Sequence, residues 1–193
     1  MHRLHVTRGI VLGKRGVGEA NTLVAVLTED LGLLRASARS TRIEVSKLRY
    51  GLEPLSRARY SFIEGRHEWK ITGVEGVSRE LIGDIKEARM AAGRIAKLLL
   101  RLVRGEEEGR ELFDTVLRGL LLLSEAGSVE KVASIECILV LRVLSHLGYL
   151  PRTAALLPFV EGDFASAELA VEAHASRTFL IRTINESLMQ SGL

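Results

Sequence analysis

In the stretch Arg57-Ala-Arg-Tyr-Ser-Phe62, charged or polar residues alternate with apolar ones. Successive side chains of a β-strand point to opposite faces, so Ala58, Tyr60 and Phe62 are predicted to lie in a core. Arg57 and Arg59 then lie on the outer face. The pattern predicts a strand with one apolar and one cationic face.

The same alternation occurs upstream, in Leu33-Leu-Arg-Ala-Ser-Ala-Arg39, where positions 34, 36 and 38 form the apolar face. Arg35 and Arg39 project from the opposite face. Residues 6–12 and 21–28 also have strand character, and a turn at Glu64-Gly65 leads to a last strand that forms a hairpin with the one before it. Five short strands in about 75 residues predict a small Greek-key barrel of OB type, and an SH3-like barrel would have the same periodicity.

Two connections between these strands are basic. Gly13-Lys-Arg-Gly-Val-Gly18 is predicted to be a flexible turn, and residues 40–51 are predicted to be a loop, with a helical turn within it as an alternative. Either the turn places its cations beside a nucleic-acid backbone or it is an ordinary hairpin turn with solvated charges. The cations of the two connections are Lys14, Arg15, Arg42, Lys47 and Arg49.

After residue 78 the apolar residues recur at spacings of three and four, as in amphipathic helices. A long first helix is predicted from Leu81 to Leu102, a second over 112–123, and a third from the N-cap Ser128 to Gly148. Two further helices are predicted over 164–175 and 177–190. The fold class is therefore α+β with two domains: an OB-fold-like β-barrel in residues 1–78 and an all-α helical domain in residues 79–193.

Composition and charge narrow the class of protein. The 193 residues are 47% hydrophobic, and Cys137 is the single cysteine, which fits a folded protein of a reducing cytosol. The start of the sequence has no secretory signal pattern, and the apolar runs are too short to span a membrane. Residues 1–78 hold 13 Lys and Arg against 8 Asp and Glu, whereas the remainder holds 14 against 16. This asymmetry suggests that a polyanion meets the N-terminal half.

Motifs for bond chemistry are absent from the sequence. The five histidines are scattered without ligand spacing, and Cys137 lies in an apolar helical segment where it is predicted to pack as a small hydrophobe. Neither a GxSxG elbow nor a GxxxxGK[ST] loop occurs. The sequence therefore predicts no enzyme, no metal and no cofactor.

The cationic strand faces and basic connections together predict nucleic-acid binding, because a polyanion gains free energy there by releasing counterions. Tyr50 is the candidate for base stacking, since Tyr60 and Phe62 fall on the core side. The candidate DNA-binding residues are Lys14, Arg15, Arg35, Arg39, Arg42, Lys47, Arg49, Arg57 and Arg59.

Several segments resemble the RecO family of recombination mediators. Gly18-Glu19, Leu27-Thr-Glu-Asp-Leu-Gly32 and Leu52-Glu-Pro-Leu-Ser56 are similar in order and spacing to the family's N-terminal domain. Residues 135–151, which end in Leu147-Gly-Tyr-Leu-Pro151, resemble the family's helix and Leu-Gly-Tyr-x-Pro turn. The two resemblances together cover most of the chain.

The resemblance implies an OB-fold domain and a helical domain that bind single- and double-stranded DNA, anneal strands and help to load recombinase in DNA repair. The implied partners are a RecR-like protein and single-stranded-DNA-binding protein, and the implied location is the cytoplasm, on the nucleoid. Many relatives carry zinc-binding cysteines shortly after the Gly-Tyr-x-Pro turn. Residues 152–162 have none, so zinc is not carried over to this chain.

Two other functions fit the same residues. A protein-interaction scaffold would use the helical domain, with weak or no nucleic-acid binding by the barrel. An OB-type RNA-binding protein would use the same lysines and arginines, because both polymers present phosphates.

Overall fold

The five predicted strands form a closed barrel with the order β1-β2-β3-β5-β4. A computed structural model describes residues 3–17, 21–39, 49–65, 68–105 and 109–190, with the backbone alone described at Arg39. The architecture is an OB-type barrel followed by helices, as the sequence predicts. The strands are β1 (Leu4–Val17), β2 (Asn21–Thr28), β3 (Gly32–Arg39), β4 (Arg57–Glu64) and β5 (Trp69–Ser78).

Strand β1 is longer than predicted, and the predicted turn at residues 13–18 is wrong over residues 13–17. The first half of β1 pairs with β4 and the second half with β2, so that Lys14 lies opposite Val24 and Arg15 opposite Leu23. A β-bulge between Val11 and Gly13 absorbs the irregularity that the glycines suggest, and the strand continues through it.

Gly13 has a packing role in this strand. A Cβ atom there would lie 3.2 Å from Cδ1 of Leu100, closer than ordinary van der Waals contact. The missing side chain therefore lets Leu100 approach the outer wall of the barrel. A glycine that sequence reading assigns to a turn is instead a site of close approach.

The barrel core has the composition that the alternation predicts. Leu34, Ala36, Tyr60 and Phe62 are fully buried, and β4 alternates between buried and more exposed positions along its length. The Tyr60 hydroxyl donates to the Gly51 carbonyl at 2.7 Å, so the polar end of this core side chain has a partner. The β4–β5 hairpin is antiparallel, as predicted.

The helices follow the predicted stripes with shifted ends. The first begins at Lys86 instead of Leu81, although Leu81 is fully buried. Ser128 caps the third helix by accepting from the Lys131 amide at 3.2 Å, and Gly148 has a φ of 74°, as a C′ residue requires. Residues 49–51, between β3 and β4, are also helical. The helices after the barrel are α1 (Lys86–Leu102), α2 (Arg110–Ser124), α3 (Val129–His146), α4 (Leu157–Glu161), α5 (Ala167–Ala175) and α6 (Arg177–Gln190).

The chain divides into two compact units that are not contiguous in sequence. The first contains residues 1–81 and 96–113, and the second contains residues 82–95 and 114–193. The barrel unit thus takes in the second half of α1, which the predicted boundary at residue 78 assigns to the helical domain. That boundary stays a prediction. In the part of the chain that the structure describes, no helix is long and apolar enough to cross a membrane.

Candidate nucleic-acid interface

A cleft on the outer wall of the barrel unit brings together three of the predicted DNA-binding residues. Its narrower part is lined by Lys14 and Arg15 of β1, Arg35 of β3 and Leu100 of α1. Its wider part has a volume of about 690 Å³ and shares Arg35 and Leu100 with the narrower part. We call the two parts together the basic cleft.

Strand pairing explains why these cations lie side by side. Arg15 is paired with Leu23, which is paired on its other side with Ser37, two residues from Arg35. Side chains two residues apart on a strand share a face, so Arg15 and Arg35 project from the same wall. Arg35 also donates from Nη2 to the Leu100 carbonyl at 3.4 Å, a long contact with the helix that borders the cleft.

Sequence reasoning missed two cations of the cleft, Arg101 and Arg104. Both are exposed and line its wider part, at the end of α1 and in the residues that follow it. Residues three apart on a helix are neighbours, and Lys97, Arg101 and Arg104 form a basic series with spacings of four and three. This series is the signal that could have identified them.

Among the described residues, few carboxylates compensate the charge of the basic cleft. Lys14 is paired with Glu53 at 2.7 Å, so its charge is partly neutralised. Glu68 is the one carboxylate among the described residues that line the cleft, and it accepts from the Ser37 hydroxyl at 3.1 Å. The described lining residues of the cleft therefore carry a net positive charge, which favours an anion.

Arg57 and Arg59 lie on a different wall of the barrel, together with Arg8. Carboxylates compensate this wall: Arg57 forms an ion pair with Glu80, and Arg59 lies opposite Glu75 in the β4–β5 register. The structure thus separates the predicted β4 cations from those of the basic cleft.

Arg8 belongs to a network that fixes the turn between β2 and β3. It donates to both carboxylate oxygens of Glu29, at 2.6 and 2.7 Å, while Asp30 accepts from Thr7 and Arg110, each at 2.7 Å. The hydrogen bond from Arg8 holds the pKa of Glu29 below its usual value, and the hydrogen bond from Thr7, followed by that from Arg110, does the same for the pKa of Asp30. These groups are structural cross-links of the barrel unit.

The remaining predicted cations are only partly described. Arg49 is exposed, and so is Tyr50, with 62% of its surface accessible, so its role as a stacking residue stays a prediction. The backbone of Arg39 ends β3. Arg42 and Lys47, also predicted to bind DNA, lie outside the described residues.

The described residues show neither an activated cysteine nor a cluster of metal ligands. Burial raises the pKa of the Cys137 thiol to about 11, which keeps it protonated at neutral pH. The Nε2 atom of His146 lies 2.9 Å from the Thr115 hydroxyl. The described residues contain no group of three His, Cys, Asp or Glu side chains that could hold a metal ion, so they do not fit the zinc site of many RecO proteins.

A closed OB-type barrel with a basic cleft on its outer wall, followed by helices, places the chain in the class of OB-barrel proteins. Two family models match it: Recombination protein O N terminal over residues 1–79, and Recombination protein O C terminal over residues 87–155. The chain therefore belongs to the RecO family of DNA repair proteins.

Individual relatives agree with this assignment. A protein named DNA repair protein RecO from Heliobacterium modesticaldum is 34% identical over 80% of this chain and 55% of its own length. Proteins of the same name from Bifidobacterium longum subsp. infantis and Thermodesulfovibrio yellowstonii are 28% and 32% identical, over 70% and 67% of their lengths. The chain thus spans between about half and about two thirds of the length of these curated relatives.

Proposed function

We propose that this protein binds single- and double-stranded DNA through the basic cleft, promotes annealing of complementary strands and assists recombinase loading in DNA repair. The observation that carries the proposal is the meeting of Arg15, Arg35, Arg101 and Arg104 around one cleft that has Glu68 as its one described carboxylate. Membership of a DNA repair family supports DNA as the polyanion.

The proposed mechanism requires no bond chemistry. Arginines hold phosphates by charge-assisted hydrogen bonds, which fix a strand without occupying the hydrogen-bonding edges of its bases. A strand held in this way stays free to pair with a second strand, so annealing follows from proximity. The protein acts in the cytoplasm on the nucleoid, with a RecR-like protein and single-stranded-DNA-binding protein as partners.

The compensated wall at β4 provides a matched control for the DNA-binding test. In the proposal Arg15 and Arg35 contact phosphates, whereas Arg59 faces Glu75 and contributes little to binding. The double variant Arg15→Glu/Arg35→Glu is compared with Arg59→Glu/Arg182→Glu, which changes the net charge equally. Arg182 is an exposed residue of α6 that forms a long ion pair with Glu186, at 4.0 Å.

The measurement is the affinity for a fluorescent single-stranded oligonucleotide across a salt series. The cleft variant is expected to bind at least about tenfold more weakly, with a salt slope shallower by about 0.7 for each lost phosphate contact. The control is expected to bind like the wild type. Equal losses in the two variants would show that the cleft has no special role.

Two further outcomes separate the competing functions. Negligible binding by the folded wild-type protein would contradict the proposal and favour a protein-interaction scaffold. Binding of an RNA oligonucleotide in clear preference to DNA of the same sequence would favour an OB-type RNA-binding protein.

A further inference from the structure

The wider part of the basic cleft has an apolar interior as well as a cationic rim. Its apolar lining residues are Leu23 and Leu33 of the barrel strands, Trp69 at the start of β5, and Leu100 and Val103 of the helical segment. Leu23, Leu100 and Val103 are half-buried, so part of each side chain stays open to the cleft. A phosphate group is charged and gains no free energy from contact with these apolar side chains.

We propose that this interior holds one unpaired nucleobase of a bound strand, while the guanidinium groups at the rim contact the flanking phosphates. The inference rests on the proposed DNA binding and assigns the chemical moiety that enters the cleft. A base has two apolar faces and a polar edge, which match aliphatic walls and a charged rim. The volume of about 690 Å³ lies within the roughly 300–1,000 Å³ of small-molecule sites, so a base and its sugar fit.

The charges of the cleft favour this orientation of the strand. Arg35, Arg101 and Arg104 attract phosphates to the rim, and arginine planes also stack on bases. Glu68 repels a phosphate from its own wall and can accept a hydrogen bond from an amino group of a base. A strand therefore gains most when its backbone follows the arginines and a base turns inward.

The inference distinguishes single strands from duplexes. In a duplex the bases are stacked and paired, and placing one in a pocket requires unstacking it. A single strand already has unpaired bases that can enter. Both polymers are therefore expected to bind to the rim, but only the single strand is expected to use the interior without disruption of base pairs.

The test compares a single-stranded oligonucleotide with an abasic strand of the same length, which has the same phosphates and lacks the bases. Wild-type protein is expected to prefer the strand with bases by about tenfold, the order of one stacked base. An oligolysine peptide contacts mainly the phosphates, so the ratio of its affinities for the two strands serves as the baseline. Leu100→Gln makes the interior polar and is expected to lower the preference toward that baseline, whereas Arg182→Gln, at an exposed position of α6, is expected to keep it.

The outcomes separate this inference from the proposed function. Salt-dependent binding with a ratio at the oligolysine baseline would overturn the base pocket and leave DNA binding intact. Absence of binding to both strands would overturn both. If Leu100→Gln does not fold, Leu23→Thr is used instead, because Leu23 also lines the interior and threonine is suited to a strand. The affinity ratio of the wild-type protein for the two strands tests the inference without any variant. Tight binding of an acidic peptide with an apolar side chain, without any preference for bases, would also overturn the inference.

Discussion

Replacing Arg142 with Met is expected to destabilise the helical unit strongly. Arg142 lies in α3 and is half-buried. It donates from Nε to the Phe159 carbonyl at 2.9 Å and from Nη2 to the Gly162 carbonyl at 2.5 Å, and its guanidinium carbon lies 4.5 Å from the centre of the Phe164 ring. One side chain thus fixes the middle and the C-terminal end of the short helix α4, together with Phe164 after it.

The expected magnitude follows from these contacts. Each hydrogen bond from a charged donor contributes about 1.5–3 kcal/mol, and the stacking on Phe164 adds about 0.5–2 kcal/mol. Burial, followed by the nearby Arg118, lowers the pKa of Arg142, which shows that holding this charge away from water has a cost that Met removes. With this offset, we expect Arg142→Met to reduce the free energy of unfolding by about 3 kcal/mol.

Urea unfolding followed by circular dichroism at 222 nm measures this loss, because the signal comes mainly from the helices. With an m-value of about 2 kcal/mol per molar, the midpoint is expected to fall by about 1.5 M. Arg182→Met is the control: Arg182 is 70% exposed, and its loss is expected to cost less than about 0.5 kcal/mol. Equal midpoints for the two variants would refute the assignment of Arg142 as the anchor of this segment.

Four further predictions follow from single contacts. Thr7→Val removes a hydrogen bond that lowers the pKa of Asp30, so it is expected to cost about 1–2 kcal/mol in urea unfolding at pH 7. Because that stability is present above the ordinary pKa of an aspartate, about 3.9, and lost as pH falls through the lowered pKa of Asp30, the difference from wild type is expected to shrink as the pH falls below that ordinary value. Ser128→Ala is expected to cost about 1 kcal/mol through loss of the α3 N-cap, measured by thermal unfolding. Gly119→Ala is expected to cost about 1–3 kcal/mol by the same measurement, since a Cβ there would lie 2.6 Å from Leu139 Cδ1. Cys137 is expected to react with a thiol reagent only after the protein is unfolded in urea.

Side-chain periodicity predicted the elements whose two faces differ most. The alternation in β4 predicted which residues are buried, and the helical stripe around Ile135 and Leu139 predicted the core face of α3. It failed where packing overrides local sequence. Gly13 and Gly16 indicate a turn, but pairing with β2 carries β1 through both glycines, and no local pattern contains that partner.

Only part of the candidate site was predictable, because periodicity shows which face a residue lies on and not what that face meets. Strand periodicity placed Arg35 on an outer face, and the structure confirms that it is exposed. Periodicity does not say which outer faces meet, so it grouped Arg35 with Arg59, which lies on another wall. It also left out Arg101 and Arg104, because a charged residue on the polar side of a helix resembles any solvated residue until the neighbouring strand is known.

The segments that make up the barrel unit explain why Arg101 and Arg104 lie in the basic cleft. Residues 96–113 belong with the barrel by contact, although their helical period groups them with the later helices. The basic cleft therefore combines several strands of the barrel with a helical segment far along the chain, and the two meet where Arg35 donates to the carbonyl of Leu100, 65 residues later. A cleft formed in this way exists only when both segments are folded against each other, since neither carries the full set of cations. DNA affinity should thus depend on the packing of Leu100 on Gly13 as well as on the charges themselves, and a bulky residue at position 13 should weaken binding without changing a single cation.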